Sequence, residues 1–418
     1  MTNQSKIQNL KSKIVVVGAG PAGASLAIRL ARGGFAVTLV EREKFPRHKL
    51  CGEFISPECL EHFRILGVLD RMLASGGERV TETVFYAPGG RHVSVPSSWL
   101  GNAAGALGLS RAEMDLRLLE KARESGVKVF EETQVIGVLF ENGAARGVKV
   151  KSKTGDTSEI TADLTIDATG RAGVLGKLLE KRRRGEEEKG RKGKGEKIQN
   201  PKSKIQNRLV GFKAHFENVR LEKGRCEIYF FRGGYGGLSH VENDRANHCF
   251  LVKADLVKKY IGQTNLLVEE IIFENKRARA ALKDARAVSE WLAVSVDGFG
   301  LKDLNPAPNL FAVGDAAAFI DPFTGSGMLM ALESAELLAE TILEAPRLQG
   351  LAAENYKQNF QRRFHKRLRV CALMRRAAFV PNLAGTIISA LSLSRAAQEI
   401  LARSTRGSGI IKKSNMKI

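Results

Sequence analysis

Ile14-Val15-Val16-Val17 is an unbroken run of β-branched residues with no polar alternation, the pattern of a parallel strand covered on both faces. Leu26, Ala27, Leu30 and Ala31 then fall at helical spacing between Ala24 and Arg32, and Ala36 to Val40 forms a second apolar strand. The chain therefore opens as a βαβ unit. Thr81 to Pro96 alternates instead, as TETVFYA and RHVSVP joined by Pro88-Gly89-Gly90, which predicts a hairpin in a separate sheet. Ser110-Arg111-Ala112-Glu113 is a capping box opening a helix that turns Met114, Leu116, Leu118, Leu119 and Ala122 inward. Strand-like segments follow in VKVFEETQVIGVLFE, ARGVKVKS and Leu164 to Ala168. Val210 to Phe216, Arg225 to Phe231 and Asn247 to Leu251 read as further strands of the second sheet. Leu310 to Val313 is a strand, a long apolar helix runs through Leu338, and from Ala352 onward the pattern is helical and basic.

Length and charge narrow this picture. At 418 residues with 43% hydrophobic content, the chain can hold two or three domains and a large core. The five cysteines, Cys51, Cys59, Cys226, Cys249 and Cys371, have no CxxC or paired spacing, which argues against a disulfide framework or a zinc site. The net charge is +21, but thirteen basic against five acidic residues lie between Lys177 and Arg208 alone. No nucleic-acid motif and no aromatic interleaving accompanies these runs, so a solvated basic surface, or one drawn to anionic lipid headgroups, is the reading they support. Arg182 to Asn207 is built almost wholly of Lys, Arg, Glu and Gly, and its EKIQNPKSKI repeats SKIQNLKSKI of the N-terminus at eight of ten positions. Such composition cannot offset its ordering entropy, and residues 177–207 are expected to be a disordered insertion. Met1 to Lys13 is polar and no run reaches a membrane span, so the expected location is cytoplasmic, with peripheral membrane contact through the basic C-terminal helices and the apolar patch Ala384 to Leu393.

Candidate chemistry sits where the first strand meets its helix. In Gly18-Ala19-Gly20-Pro21-Ala22-Gly23, Gly18 allows the tight turn, Gly20 admits a pyrophosphate to the backbone, and Gly23 lets helix and strand pack closely. The helix start then offers N–H groups and positive potential to phosphates. Glu41, at the end of the second strand, would accept hydrogen bonds from a ribose diol, with Arg42 beside it. Gly170, Gly173 and Gly176 have the wrong spacing for a second nucleotide loop. A second constellation pairs Gly314-Asp315, after a strand, with Pro322-Phe323-Thr324-Gly325-Ser326-Gly327 at a helix start. The acid can hold sugar hydroxyls, and the helix start can set N–H groups and positive potential against an electron-rich edge of a bound cofactor. His240 and His248 lack partners at metal-ligand spacing, and no metal is expected.

After Glu41 the chain reads EKFPRHKLCGEFISPECLE. The fingerprint Gly18 to Glu41 followed by PRHKLCGE resembles the FAD-dependent geranylgeranyl reductase family, within the flavoproteins built like para-hydroxybenzoate hydroxylase. The resemblance covers nearly the whole chain except Lys177 to Asn207. It implies an α/β fold with a Rossmann-like FAD-binding domain of the GR2 type, an inserted β-sheet substrate domain and a helical C-terminus. The boundaries expected are 1–75, 101–176 and 295–345 for the discontinuous FAD domain, 76–100 and 208–294 for the substrate domain, and 346–418 for the helical region. By the same resemblance Cys51 and Gly52 line the active site, Arg47 sits near the cofactor, Arg111 reaches its phosphates, and the strand ending at Gly170 stops beneath it. Asp315 would hold the ribityl chain, with Gly314 at its turn, and Pro322 and Gly325-Ser326-Gly327-Met328 would cover the pyrimidine edge. Read from the residues alone, Cys51 is equally a small buried hydrophobe and Arg111 an exposed first-turn arginine.

The stretch EIYFFRGGYGGLSHVENDRANHCFLV resembles the family's Tyr-Gly-Trp turn leading to Phe-Pro, and places Tyr235 in the catalytic region. Its tryptophan and proline are missing here, as is the tryptophan signature of flavin-dependent halogenases. The implied activity is an FAD-dependent reductase acting on C=C bonds of a hydrophobic isoprenoid, polyketide or aromatic substrate, with NAD(P)H or a separate reductase as electron donor. An FAD-dependent monooxygenase using NAD(P)H and O2 shares the scaffold, and a non-catalytic flavin or lipid carrier is the alternative from another class.

Overall fold

The run Ile14 to Val17 is covered on both faces because it is the centre of a five-stranded parallel sheet, ordered Leu310–Ala312, Leu164–Asp167, Lys13–Val17, Ala36–Val40, Lys128–Phe130. The computed structural model describes residues 12–100, 105–190, 208–345, 353–380 and 383–405. Successive strand side chains point to opposite faces. Ile14 and Val16 therefore join a core under helices Pro21–Arg32, Arg111–Glu124 and Gly327–Glu344, whereas Val15 and Val17 join one under an antiparallel ribbon. That ribbon is Thr133–Glu141, Ala144–Ser152 and Thr157–Thr161. The predicted helix start at Ser110 forms: its Oγ accepts the Glu113 N–H at 3.2 Å, while the Glu113 carboxylate turns to Arg117 at 2.7 Å.

The hairpin Glu82–Tyr86 and His92–Pro96 belongs to a second, eight-stranded sheet. Glu82–Tyr86 pairs in parallel with Arg225–Phe231, which continues antiparallel through Gly234–His240, Ala246–Lys253 and Leu209–Glu217 to the edge strands Arg286–Ala287 and Leu292–Val296. Sequence reading had no strand at Gly234–His240, because its glycines and the likeness to a Tyr-Gly turn pointed to a loop. These glycines instead let neighbouring strands close in: a Cβ on Gly236 would lie 2.7 Å from that of Phe250. Glu78–Val80, expected in the substrate domain, pairs with Ala106–Gly108 in a small three-stranded sheet with Phe54–Ile55.

The expectation of disorder fails over its first part. Val174–Gly190 is a helix, anchored because Leu175 and Leu179 are buried against the ribbon side of the parallel sheet. Arg182 lies over the Phe140 ring, 4.4 Å from its centroid, and Arg183 donates to the Pro306 carbonyl at 3.1 Å. Composition hid a three-residue apolar stripe at its start. The rest of that expectation, 191–207, lies outside the described residues, as do 346–352 and 406–418 of the C-terminal region. Helices Ala353–Ala378, Leu383–Leu391 and Arg395–Ser404 form the described helical C-terminus. Among the described residues no helix is long and apolar enough to cross a membrane.

Candidate functional site

Both sequence constellations open onto one cavity of about 1210 Å³. Gly18, Gly20, Pro21 and Ala22 line it from the first strand–helix turn, and Asp315, Gly325, Gly327 and Met328 line it from the second. Neither helix start is capped by a side chain, at Gly20 or at Ser326, so both present backbone amide ends to this space. The two turns touch directly: Gly314, at φ 60°, would put a Cβ 2.8 Å from that of Ala22, and its N–H donates to Ser334 Oγ at 2.9 Å. Gly23, Gly314 and Ser326 do not line the cavity; the first two permit close packing, and buried Ser326 donates to the Thr405 carbonyl.

At the fingerprint end the charges are organised around a residue that sequence reading missed. Asp115, fully buried one helical turn after Arg111, accepts from Arg111 Nε at 2.9 Å and Nη2 at 2.7 Å, and from Arg47 Nη1 at 2.7 Å. One carboxylate thus aligns two guanidinium groups at the cavity wall. Its signal was the i, i+4 spacing to Arg111 inside an otherwise apolar face. Arg47 also lies 3.6 Å from Glu41, and its Nε is buried without a hydrogen-bond partner among the described residues. Glu41 accepts the Ala19 N–H at 2.9 Å and the Glu43 N–H at 3.1 Å, which orients its carboxylate while leaving further lone pairs toward the cavity. Arg42 lines the mouth, exposed and paired with Glu43.

At the second turn, burial pushes the Asp315 carboxyl up to about 6, against the pull of Arg171, Arg111 and Lys302. Lys302, another residue not foreseen, donates to the backbone carbonyls of Asp315 at 2.9 Å and Arg171 at 3.2 Å, tying this turn to the one at Gly170. Gly170 lines the cavity with nothing within 4 Å of where its Cβ would stand.

Between the two ends runs the loop carrying Arg47, Cys51 and Gly52, all of which line the cavity. The far end is apolar. Phe85, Val93 and Phe230 of the second sheet face Phe323 of the second turn, and Ile387 and Ile388 of helix Leu383–Leu391 close it. Tyr235, predicted in a turn, stands on a strand in this wall and donates to Asp321 Oδ1 at 2.5 Å. Burial, then the charge of Asp321, holds its hydroxyl well above the usual tyrosine range, so it is a neutral donor.

The residues present fit a dinucleotide cofactor. A Cβ on Gly20 would meet only the far ends of Arg111 at 3.9 Å and Arg47 at 4.0 Å, a cradle bounded by cationic Nη2 groups rather than by backbone. Residues 11–367 match a family described as the FAD binding domain. Tryptophan 2-halogenase of Chondromyces crocatus is 27% identical over 370 residues, 84% of this chain and 66% of that protein. Menaquinone reductase of Mycolicibacterium smegmatis is 27% identical over 352 residues, 79% of this chain and 76% of that one. Digeranylgeranylglycerophospholipid reductase of Methanoculleus marisnigri is 34% identical over 158 residues, 38% of each chain. The matched stretch thus spans only about two thirds of the tryptophan halogenase. Among solved structures, a flavin-dependent brominase superposes with TM-score 0.74 at 19% identity, covering 94% of this chain and 93% of that one. A geranylgeranyl bacteriochlorophyll reductase-like protein of Thermoplasma acidophilum gives 0.69 at 19%, covering 95% and 96%. At that identity the superpositions show the fold alone.

Proposed function

The chain belongs to the FAD binding domain family, whose relatives here are FAD-dependent enzymes, and from that premise we propose that it reduces a C=C bond of a hydrophobic substrate, in the manner of a geranylgeranyl reductase. The observation that carries this reading is the single cavity whose cationic, amide-lined end runs continuously into an apolar end. FAD, when bound, supplies two-electron transfer between a donor and the substrate. The backbone from Gly18 to Ala22, with Arg47 and Arg111, would hold its pyrophosphate, and Glu41 its ribose. Asp315 would hold the ribityl hydroxyls, while Gly325 to Met328 and the helix behind them set positive potential against the pyrimidine edge. Cys51 and Gly52 would separate this end from the substrate. Phe85, Phe230, Phe323 and Ile388 exclude water and favour an extended apolar chain or ring. Tyr235, held by Asp321, presents a protonated hydroxyl at that wall.

Among the described residues there is one dinucleotide fingerprint, so electrons would come from transiently docking NAD(P)H or from a separate reductase. The scaffold also admits a second reading, a monooxygenase that oxidises its substrate with NAD(P)H and O2; a solved structure described as a probable FAD-dependent monooxygenase from Pseudomonas aeruginosa shares the fold at TM-score 0.65 and 20% identity. The decisive experiment incubates the dithionite-reduced, FAD-loaded protein with geranylgeranyl diphosphate and with a short-chain menaquinone, without oxygen, and weighs the products by mass spectrometry. Gain of two hydrogen atoms in the isoprenoid chain itself, retained after air reoxidises any quinol to quinone and absent with dithionite and FAD alone, supports the reductase. Product that forms only with O2 and gains an oxygen atom replaces it with the monooxygenase.

A further inference from the structure

A buried ionic cluster stands behind the Cys51 loop and is used by none of the roles above. Glu53 is fully buried and adopts φ 56°, the left-handed region that a residue with a Cβ rarely occupies. Its Oε1 accepts from Lys213 Nζ and from the Arg111 N–H at 2.7 Å, and its Oε2 pairs with His215 Nε2 at 2.7 Å. Burial alone would push this carboxyl up, but His215 and Lys213 outweigh it and hold it below its ordinary value. Lys213 and His215 are two residues apart on strand Leu209–Glu217 and so share a face, and Asn247 stands opposite His215 in the pairing register. All three are buried and all three reach toward the same loop: Lys213 Nζ also donates to the Lys49 carbonyl at 3.3 Å, and Asn247 Nδ2 to the Cys51 carbonyl at 3.0 Å.

The second sheet thus grips the loop at alternate residues, 49, 51 and 53. Between the last two grips lies Gly52, with nothing within 4 Å of its Cβ position on the cavity side. Removing Lys213 or His215 leaves a buried carboxylate short of a partner, which is costly, and removes what compensates the left-handed backbone at Glu53. We propose that Lys213 and His215, acting through Glu53, and Asn247, acting through the Cys51 carbonyl, are positioning residues that fix Cys51 and Gly52 as the partition between the cofactor end and the substrate end of the cavity. The proposal rests on the FAD reading only for what lies on one side of that partition.

The test uses the full-length, FAD-loaded protein and its Lys213→Met, His215→Gln and Asn247→Ala variants, well below their melting temperatures. Alkylation by iodoacetamide is followed peptide by peptide, so that Cys51 is resolved from Cys249 and Cys226, which also line the cavity. Cys51 should be alkylated at least about tenfold faster in the Lys213 and His215 variants, as expected for a loop released from its anchor, with FAD retained and its visible absorption band shifted. Lys213→Arg should restore slow alkylation. Unchanged Cys51 alkylation and an unchanged flavin band in folded, FAD-bearing variants would overturn the proposal. Failure of the parent protein to take up FAD would instead refute the cofactor reading, and the alkylation comparison would still judge the clamp.

Discussion

Gly20 and Gly23 sit one turn apart in the same motif, and a methyl group would do opposite things at them. At Gly23 it would fall 1.8 Å from the Gly18 carbonyl oxygen, inside the strand–helix contact, where backbone must move. Gly23→Ala should therefore cost at least about 3 kcal/mol in urea unfolding, near or beyond the upper range for overpacking. At Gly20 the same methyl meets only flexible arginine ends, so Gly20→Ala should unfold within about 1 kcal/mol of the parent while FAD binding, followed by flavin fluorescence, weakens several-fold. Equal loss of stability in both would show that Gly20 serves packing alone. Asp315 makes a prediction with two signs. Its carboxyl is raised from 3.8 to about 6 by burial, so between those values the native chain holds a proton that the unfolded chain releases. The cofactor-free protein accordingly loses stability as pH rises through that window and does not recover it above. Asp315→Asn should melt higher than the parent at neutral pH, with the gap closing toward acid, yet bind FAD more weakly; calorimetry on the cofactor-free protein checks the first and titration the second.

The elements differ in how plainly the chain declared them. The helix Val174–Gly190 depends on Leu175 and Leu179, so Leu175→Ala should destabilise by about 2–5 kcal/mol in chemical unfolding, the usual cost of emptying a core site. A loss below 1 kcal/mol, the level of a surface change, would mean the helix is held by something other than this anchor. That element was illegible because its charged tail outnumbers its apolar start, and composition averages over a window wider than one turn. The opening βαβ unit, the hairpin at Pro88 and the cap at Ser110 were legible for the opposite reason: each is specified by residues adjacent in sequence. The strand Gly234–His240 was not, since its glycines serve neighbours brought in by pairing. The same division holds in the candidate site. Gly20, Arg47, Arg111 and Asp315 announce themselves through local motifs and Asp115 through its i, i+4 spacing to Arg111, whereas Lys302 and the Glu53–Lys213–His215 cluster find their partners only once distant segments meet. Glu53 and Lys213 are 160 positions apart, and no local pattern joins them.

At the scale of the molecule, the apolar end of the cavity is built from three separate parts of the chain, and the last of these turns a second apolar face outward. Ile387, Ile388 and Leu401 line the cavity, while Leu393, in the turn between the last two helices, is 87% exposed and Ile400, on helix Arg395–Ser404, is 70% exposed. Arg395 and Arg403 stand on the same helix as Ile400. Apolar side chains flanked by cations suit the boundary between acyl chains and anionic headgroups, and helix Arg395–Ser404, which carries Ile400, also lends Leu401 to the cavity wall. A greasy substrate could then pass from bilayer to site without crossing water. The expected outcome is flotation with vesicles of phosphatidylglycerol but not of phosphatidylcholine, released by salt as the Debye length shortens. Leu393→Asp with Ile400→Asp should abolish flotation while the flavin spectrum and melting temperature stay as in the parent, because neither side chain touches the core. Flotation that survives this double change, or that ignores salt and lipid charge, would remove the C-terminal helices as the docking face and leave the cavity to be filled from solution.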